Sequence, residues 1–318
     1  MRFFYLATFL VILIGLGFLG LRWRAHQQRE ATVKRINALI QQFDTPDPKR
    51  RAATRKELLQ IGRPAVPLLV ESLKHQSEQV RQGASDTLEA MGSPAIESLI
   101  LAMRDPEFKG RGFATNTLGR IAKRTKDQRA IRALINVLED DRSKEQHVDT
   151  NAALMLAQIG KPAIKPLIAA LEYKNPDIPF DPRNRRIRSW AATILGTMGD
   201  LRAADASGTS PEGVDASDRQ LIATSLQKAL KDEQEGIRSN AARGLGLMHD
   251  PRHIPILVEA LSDPQPNVRR AVVEALGDIG DPSAERILWQ RANDINEDEQ
   301  VRLAAQQAVM NIKLQRRK

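Results

Sequence analysis

One unit of about thirty residues recurs along this chain, and it limits the folds available more than any other feature. Residues 237–263 read IRSNAARGLGLMHDPRHIPILVEALSD. The pattern returns as VRRAVVEALGDIGDPSAERILWQRA from Val268, and an earlier copy reads VRQGASDTLEAMGSPAIESLILAMRD from Val80. Within the copy from Val268, Val268, Val272, Ala275, Leu276 and Ile279 make one apolar stripe at helical spacing. Gly280 suits the end of that helix, and Pro282 suits the first turn of the next, where a missing N–H is harmless. Two such helices cannot bury their apolar faces alone, so the copies must stack. The period therefore predicts an all-α fold, an α-solenoid of helix pairs.

One arginine tracks the units. Arg51, Arg81, Arg111, Arg188, Arg238, Arg269 and Arg302 each stand seven residues before an apolar position, and Asp149 takes that place in the fourth unit. The count comes to about seven pairs and a last capping helix. Asp105, Asp232 and Asp263 precede Arg111, Arg238 and Arg269 by six residues. These are read as an inter-repeat ladder, with a carboxylate at the end of one pair bonded to the guanidinium that opens the next.

The first residues are of a different kind. Residues 3–21 carry no charge over 19 positions, enough to cross a hydrocarbon core as a helix. A cleaved signal peptide fits less well, because cutting after Ala25 would place Trp23 at the third position back. Arg22, Trp23 and Arg24 read as its interfacial flank. The Lys and Arg beyond them favour a cytoplasmic carboxyl side, so the expectation is a single-pass membrane protein with the repeats in the cytoplasm. Residues 1–21 are thus the transmembrane anchor, 22–47 a basic juxtamembrane segment and N-cap helix (Val33, Ile36, Leu39, Ile40, Phe43), and 48–318 the array. Insertions interrupt it near 172–184, where three prolines oppose a regular helix, and 200–218, which is small and polar.

With these repeats, the chain resembles the HEAT-repeat family, an armadillo-like superhelix, and within it the short bacterial repeats of phycobilisome lyase subunits. The resemblance spans roughly residues 48–314. It implies a scaffold or adaptor that binds a protein partner through a concave surface of second helices. The residues chosen for that surface are Lys165, Tyr173, Phe180, Arg252, Glu259 and Glu285. A lyase-like or chaperone-like accessory subunit acting on a bound client is the alternative.

Composition narrows the chemistry. Zero cysteines exclude disulfides and thiolate metal sites. Of the formal net charge of +9, much sits in residues 22–60, with ten Lys and Arg against four Asp and Glu; a nucleic-acid groove would spread that charge along the array. His249 and His253 flank Pro251 and read as turn residues, not a metal pair. No P-loop, dinucleotide fingerprint or nucleophile elbow occurs. The iron-dependent hydroxylases of HEAT-like fold carry His-Glu ligand pairs, and this chain has no His-Glu dipeptide. No catalytic residue, metal or cofactor is assigned, and the array is expected to be monomeric.

Overall fold

A computed structural model describes residues 22–24, 26–140, 147–174, 181–202 and 213–316. Among these residues there are helices and connecting turns and no strand. Backbone contacts divide the chain into two compact units, up to Ser98 and from Leu99 onward.

The first unit holds α1 (26–41), α2 (Pro48–Ile61), α3 (Val66–Glu71), α4 (Glu78–Met91) and the start of α5 (Ile96–Arg104). Ile36, Leu39, Ile40 and Phe43 are buried; Val33, a turn earlier, is 43% exposed. A Cβ on Gly83 of α4 would collide with the Phe43 ring, so glycine here is a seat for that ring. Asp47 caps α2 by accepting the Lys49 N–H, with Pro48 in the first turn. α2 packs on α4.

The second unit holds α6 (Arg111–Thr125), α7 (Gln128–Asn136), α8 (Val148–Ile159), α9 (Lys161–Glu172), α10 (Pro182–Met198), α11 (Ala216–Ala229), α12 (Glu235–Leu247), α13 (Ile254–Ala260), α14 (Pro266–Ile279), α15 (Glu285–Ala292) and α16 (Glu299–Gln315). The described helices thus include seven pairs, α2/α3 to α14/α15, and the last helix α16. The fold is an all-α, solenoid-like array.

Gly62, Gly92 and Gly160 separate first from second helices at φ 72°, 71° and 73° with ψ near −138°, −128° and −139°. That region is essentially closed to residues with a Cβ. In the sixth pair the break is made by His249 at φ 51°, not by a glycine.

Gly244 and Gly246 lie inside α12 and serve packing. Cβ atoms built on Gly196, Gly246 and Gly277 would fall 2.5 Å from Gly244 Cα, 2.7 Å from Ala275 Cα and 2.7 Å from Ala308 Cβ. One built on Gly119 would collide with the Met155 side chain. Each of Gly119, Gly196, Gly246 and Gly277 stands eight residues after a row arginine. α6 therefore seats Met155 of α8, while α10, α12, α14 and α16 meet in turn almost backbone to backbone. α8 has Ala157 at that position and Asp149 at the arginine position. The α8/α10 junction lacks both devices.

Three expectations are corrected. Among the described residues no helix is long and apolar enough to cross a membrane, which overturns the single-pass membrane placement and the cytoplasmic repeats read from it. Residues 3–21 themselves lie outside the described residues. α1 intersperses Arg29, Glu30, Lys34 and Arg35 among its apolar residues, and Arg22, Trp23 and Arg24 are exposed with no spanning helix among the described residues beside them. The first insertion is shorter than expected, because Pro182 opens α10 from its first position, where proline is compatible with helix. The second ends at Asp215, which forms a capping box with Asp218 on α11.

Gly196→Ala tests the seam. Alanine gains about 1 kcal/mol of helix propensity over glycine, yet forcing α10 from α12 is expected to lower unfolding free energy by a net ~1–3 kcal/mol. Gly236→Ala, with open space around its Cβ, is expected to lose nothing. Denaturant titration with an unchanged m-value separates the two.

Candidate functional site

The arginine row makes two kinds of bond. A helix C-terminus leaves carbonyls without intrahelical partners, and a guanidinium offers five donors in a fixed fork. One edge of the fork therefore goes to main chain. Arg51 Nη1 donates to the Thr45 carbonyl at 2.7 Å, and Arg81 Nη1 to those of His75 and Gln76 at 2.6 and 2.7 Å. Arg238 reaches the Asp232 and Glu233 carbonyls at 2.8 and 3.1 Å, and Arg269 reaches those of Asp263 and Pro264 at 2.8 and 3.1 Å. The other edge takes a carboxylate. Arg238 holds Asp263 bidentately at 2.7 and 3.0 Å, Arg269 holds Glu297 at 2.6 Å through Nη2, Arg188 holds Asp232 at 2.5 Å, and Arg111 pairs with Asp140.

The expected ladder pairs are corrected in register. Asp232 with Arg238 and Asp263 with Arg269 meet through the aspartate's main-chain carbonyl, while each carboxylate turns to the preceding arginine. Arg111 likewise donates to the Met103 carbonyl at 2.8 Å, and Asp105 accepts the Glu107 N–H at 2.9 Å. The clamp thus ties the end of one pair to the end of the next. At the fourth unit the polarity reverses: Asp149 receives Arg186 of α10 at 3.3 Å.

These carboxylates are shifted. Burial pushes Asp232 up, but hydrogen bonds from Arg188 and the Gln234 N–H, with the charges of Arg188 and Lys174, hold it below the usual carboxylate range. Asp263 and Glu297 are raised by burial and lowered further by Arg238 and Arg269 respectively, with the same net direction.

Of the residues chosen for the partner surface, Lys165 and Tyr173 come together. Both line a groove of about 730 Å³ formed by α7, α9 and α10 with Asp181. Its floor is apolar, from Ile135, Pro166, Ala169, Ala170 and Ile187, and its rim carries Arg132, Glu139, Lys165 and Asp181. Tyr173 is 57% exposed. Pro166 sits inside α9 and cannot donate to the Pro162 carbonyl, which instead lies 3.5 Å from the Gln128 side-chain nitrogen. Asn184, almost buried, donates to the Tyr173 carbonyl at 3.2 Å and fixes the end of α9 against α10.

The other candidates lie elsewhere. Phe180 is outside the described residues. Arg252 is exposed but bound to its neighbour Asp250, Nη2 to Oδ2 at 2.5 Å. Glu259 is exposed, 3.8 Å from Lys231, and Glu285 lies 3.6 and 3.9 Å from Lys313 and Arg316. His249 Nδ1 is 2.8 Å from Asp200, and His253 is buried, which lowers its pKa and keeps it neutral. Sequence reasoning missed Arg132, Ile135, Asn136 and Glu139. Their i, i+3, i+4, i+7 spacing on a second helix was the available signal.

Removing one partner of a buried pair leaves the other charge unpaired. Arg188→Met, at a side chain 3% exposed, is therefore expected to destabilise by about 3–5 kcal/mol. With Asp232, Asp263 and Glu297 depressed in the folded state, their contribution is full above the unfolded pKa near 4 and is lost as pH falls through the folded values. Denaturation at pH 7 and pH 3 should show the loss in wild type, and a smaller one in Arg188→Met.

A family model described as HEAT repeats matches residues 36–107, 96–179 and 222–310. No curated protein matches in sequence. Among solved structures, Kap95p, from a structure of its binding to RanGDP, is 16% identical with a TM-score of 0.51, covering 87% of this chain and 40% of that one. Human deoxyhypusine hydroxylase is 19% identical with a TM-score of 0.34, covering 90% and 98%. The CpcE–CpcF complex of phycocyanin lyase from Nostoc sp. is 19% identical with a TM-score of 0.30, covering 66% and 97%. At such identities the likeness is one of fold.

Proposed function

The chain belongs to the HEAT-repeat family, and on that premise we propose that it is a scaffold that binds a protein partner through second helices, with the groove between α7, α9 and α10 as the main contact. The groove is the observation that carries this reading. It joins an apolar floor to a rim of both charge signs, the composition of a surface that receives a partner's apolar side chains and fixes their register by charge. An exposed tyrosine beside it is the residue type that dominates such contacts. Kap95p, whose fold this chain shares, is itself described as binding a protein, RanGDP. The groove also borders α10, whose junction with α8 interrupts the tight first-helix seam.

Tyr173→Ala is expected to weaken partner binding about tenfold or more, equal to about 1.4 kcal/mol, whereas Arg252→Ala leaves it unchanged. A photocrosslinker at position 173 should capture one dominant protein, with the yield reduced by Lys165→Glu. Scattered capture, or a yield indifferent to Lys165→Glu, would contradict the groove as the contact.

A further inference from the structure

A second concavity lies between two first helices, apart from the groove. It holds about 290 Å³ and is lined by Arg185, Arg186, Ser189, Trp190 and Thr193 of α10 and Asn240 of α12. No carboxylate lines it. Arg185 is exposed and pairs with no carboxylate among the described residues. Arg186 is partly committed: Nη2 lies 3.3 Å from Asp149 and 3.4 Å from the Asp140 carbonyl, while Nε is buried without a partner. One facing carboxylate against two guanidiniums leaves a positive charge in place.

The uncharged donors are also part-used. Thr193 donates to the Ser189 carbonyl at 3.2 Å and Asn240 to the Gly236 carbonyl at 2.8 Å, which leaves the Ser189 hydroxyl, the second Asn240 hydrogen and the Trp190 indole N–H without partners among the described residues. An uncompensated guanidinium with several neutral donors complements an oxyanion, and these donors outnumber the two oxygens of a carboxylate. A phosphate monoester brings three acceptor oxygens and a charge of about −1.5 to −2.

We propose that this pocket binds the phosphate monoester of a phosphorylated serine or threonine on a protein partner, held by the exposed Arg185 guanidinium with the Ser189, Trp190 and Asn240 donors, in the positive field of Arg186. A nucleic-acid backbone is the less suitable source. It would need arginines without an acidic contact repeated along the row of first helices, whereas the next two, Arg243 and Arg270, each contact Glu274, at 3.4 and 3.8 Å.

The test uses the full chain with Trp23→Phe and Trp289→Phe, both exposed positions, so that Trp190 is the remaining indole. Its fluorescence is titrated with a blocked phosphoserine peptide, the same peptide with Glu or Ser at that position, and a single-stranded oligonucleotide. The expected result is saturable binding of the phosphoserine peptide, about tenfold weaker for Glu, and at least a fivefold loss in Arg185→Gln at unchanged Tm, since two charge-assisted bonds are at stake. No saturable change, equal response to the Glu or Ser peptide, insensitivity to Arg185→Gln, or tighter binding of the oligonucleotide would each overturn the proposal. Because α7 and α9 do not line this pocket, its failure leaves the groove reading standing, and the converse holds.

Discussion

At Arg111, Arg188, Arg238 and Arg269 the stacking depends on a guanidinium that faces two ways. A HEAT-type helix pair ends in carbonyls that nothing in the pair itself can satisfy. Where Arg238 and Arg269 stand, one edge of the fork closes the carbonyls of the preceding pair and the other takes a carboxylate at the end of the pair that the arginine opens. Stacking angle and spacing are then fixed by directional bonds as well as by apolar contact. From α10 onward, the glycines eight residues later let the first helices close to near backbone contact. At Arg188, Arg238 and Arg269 clamp and glycine share one period, so these repeats specify their junctions to the next.

The α8/α10 junction departs from this rule, and the departures cluster. Asp149 replaces the arginine, Ala157 puts a Cβ where the neighbouring first helices carry none, and Arg186 answers Asp149 from the opposite helix. On the second-helix side the groove opens with Pro166 and Tyr173. On the first-helix side Arg185 and Arg186 lie beside Trp190 in the small basic pocket. A solenoid whose junctions are all alike offers a partner no preferred address. In the proposed reading the reversed rung supplies that address, because the residues relieved of stacking duty are free to face outward.

Much of the fold was legible in the residues alone. The thirty-residue period, the Gly and Pro punctuation and the arginine row were enough for helix pairs, since each reports a local backbone requirement. The partners of the row were not legible, because a fork at Arg238 can choose between a carbonyl and a carboxylate of Asp232 only once both are placed in space. The close approach at Gly246 was not legible either, and His249 takes the left-handed position that Gly280 holds in the next unit. Lys165 and Tyr173, chosen as polar or aromatic on a second helix or just past its end, line one groove. Arg252 was chosen on the same ground and is occupied by Asp250, which sequence spacing alone does not reveal.

Native-state hydrogen exchange across the second unit tests the central claim directly, since it reads the free energy of opening junction by junction. If clamps and glycine seams set the stacking, the slowest amides will lie in α12 and α14, and α8 will exchange through an opening of measurably lower free energy. Uniform protection across the row, or α8 as its most protected member, would contradict the account.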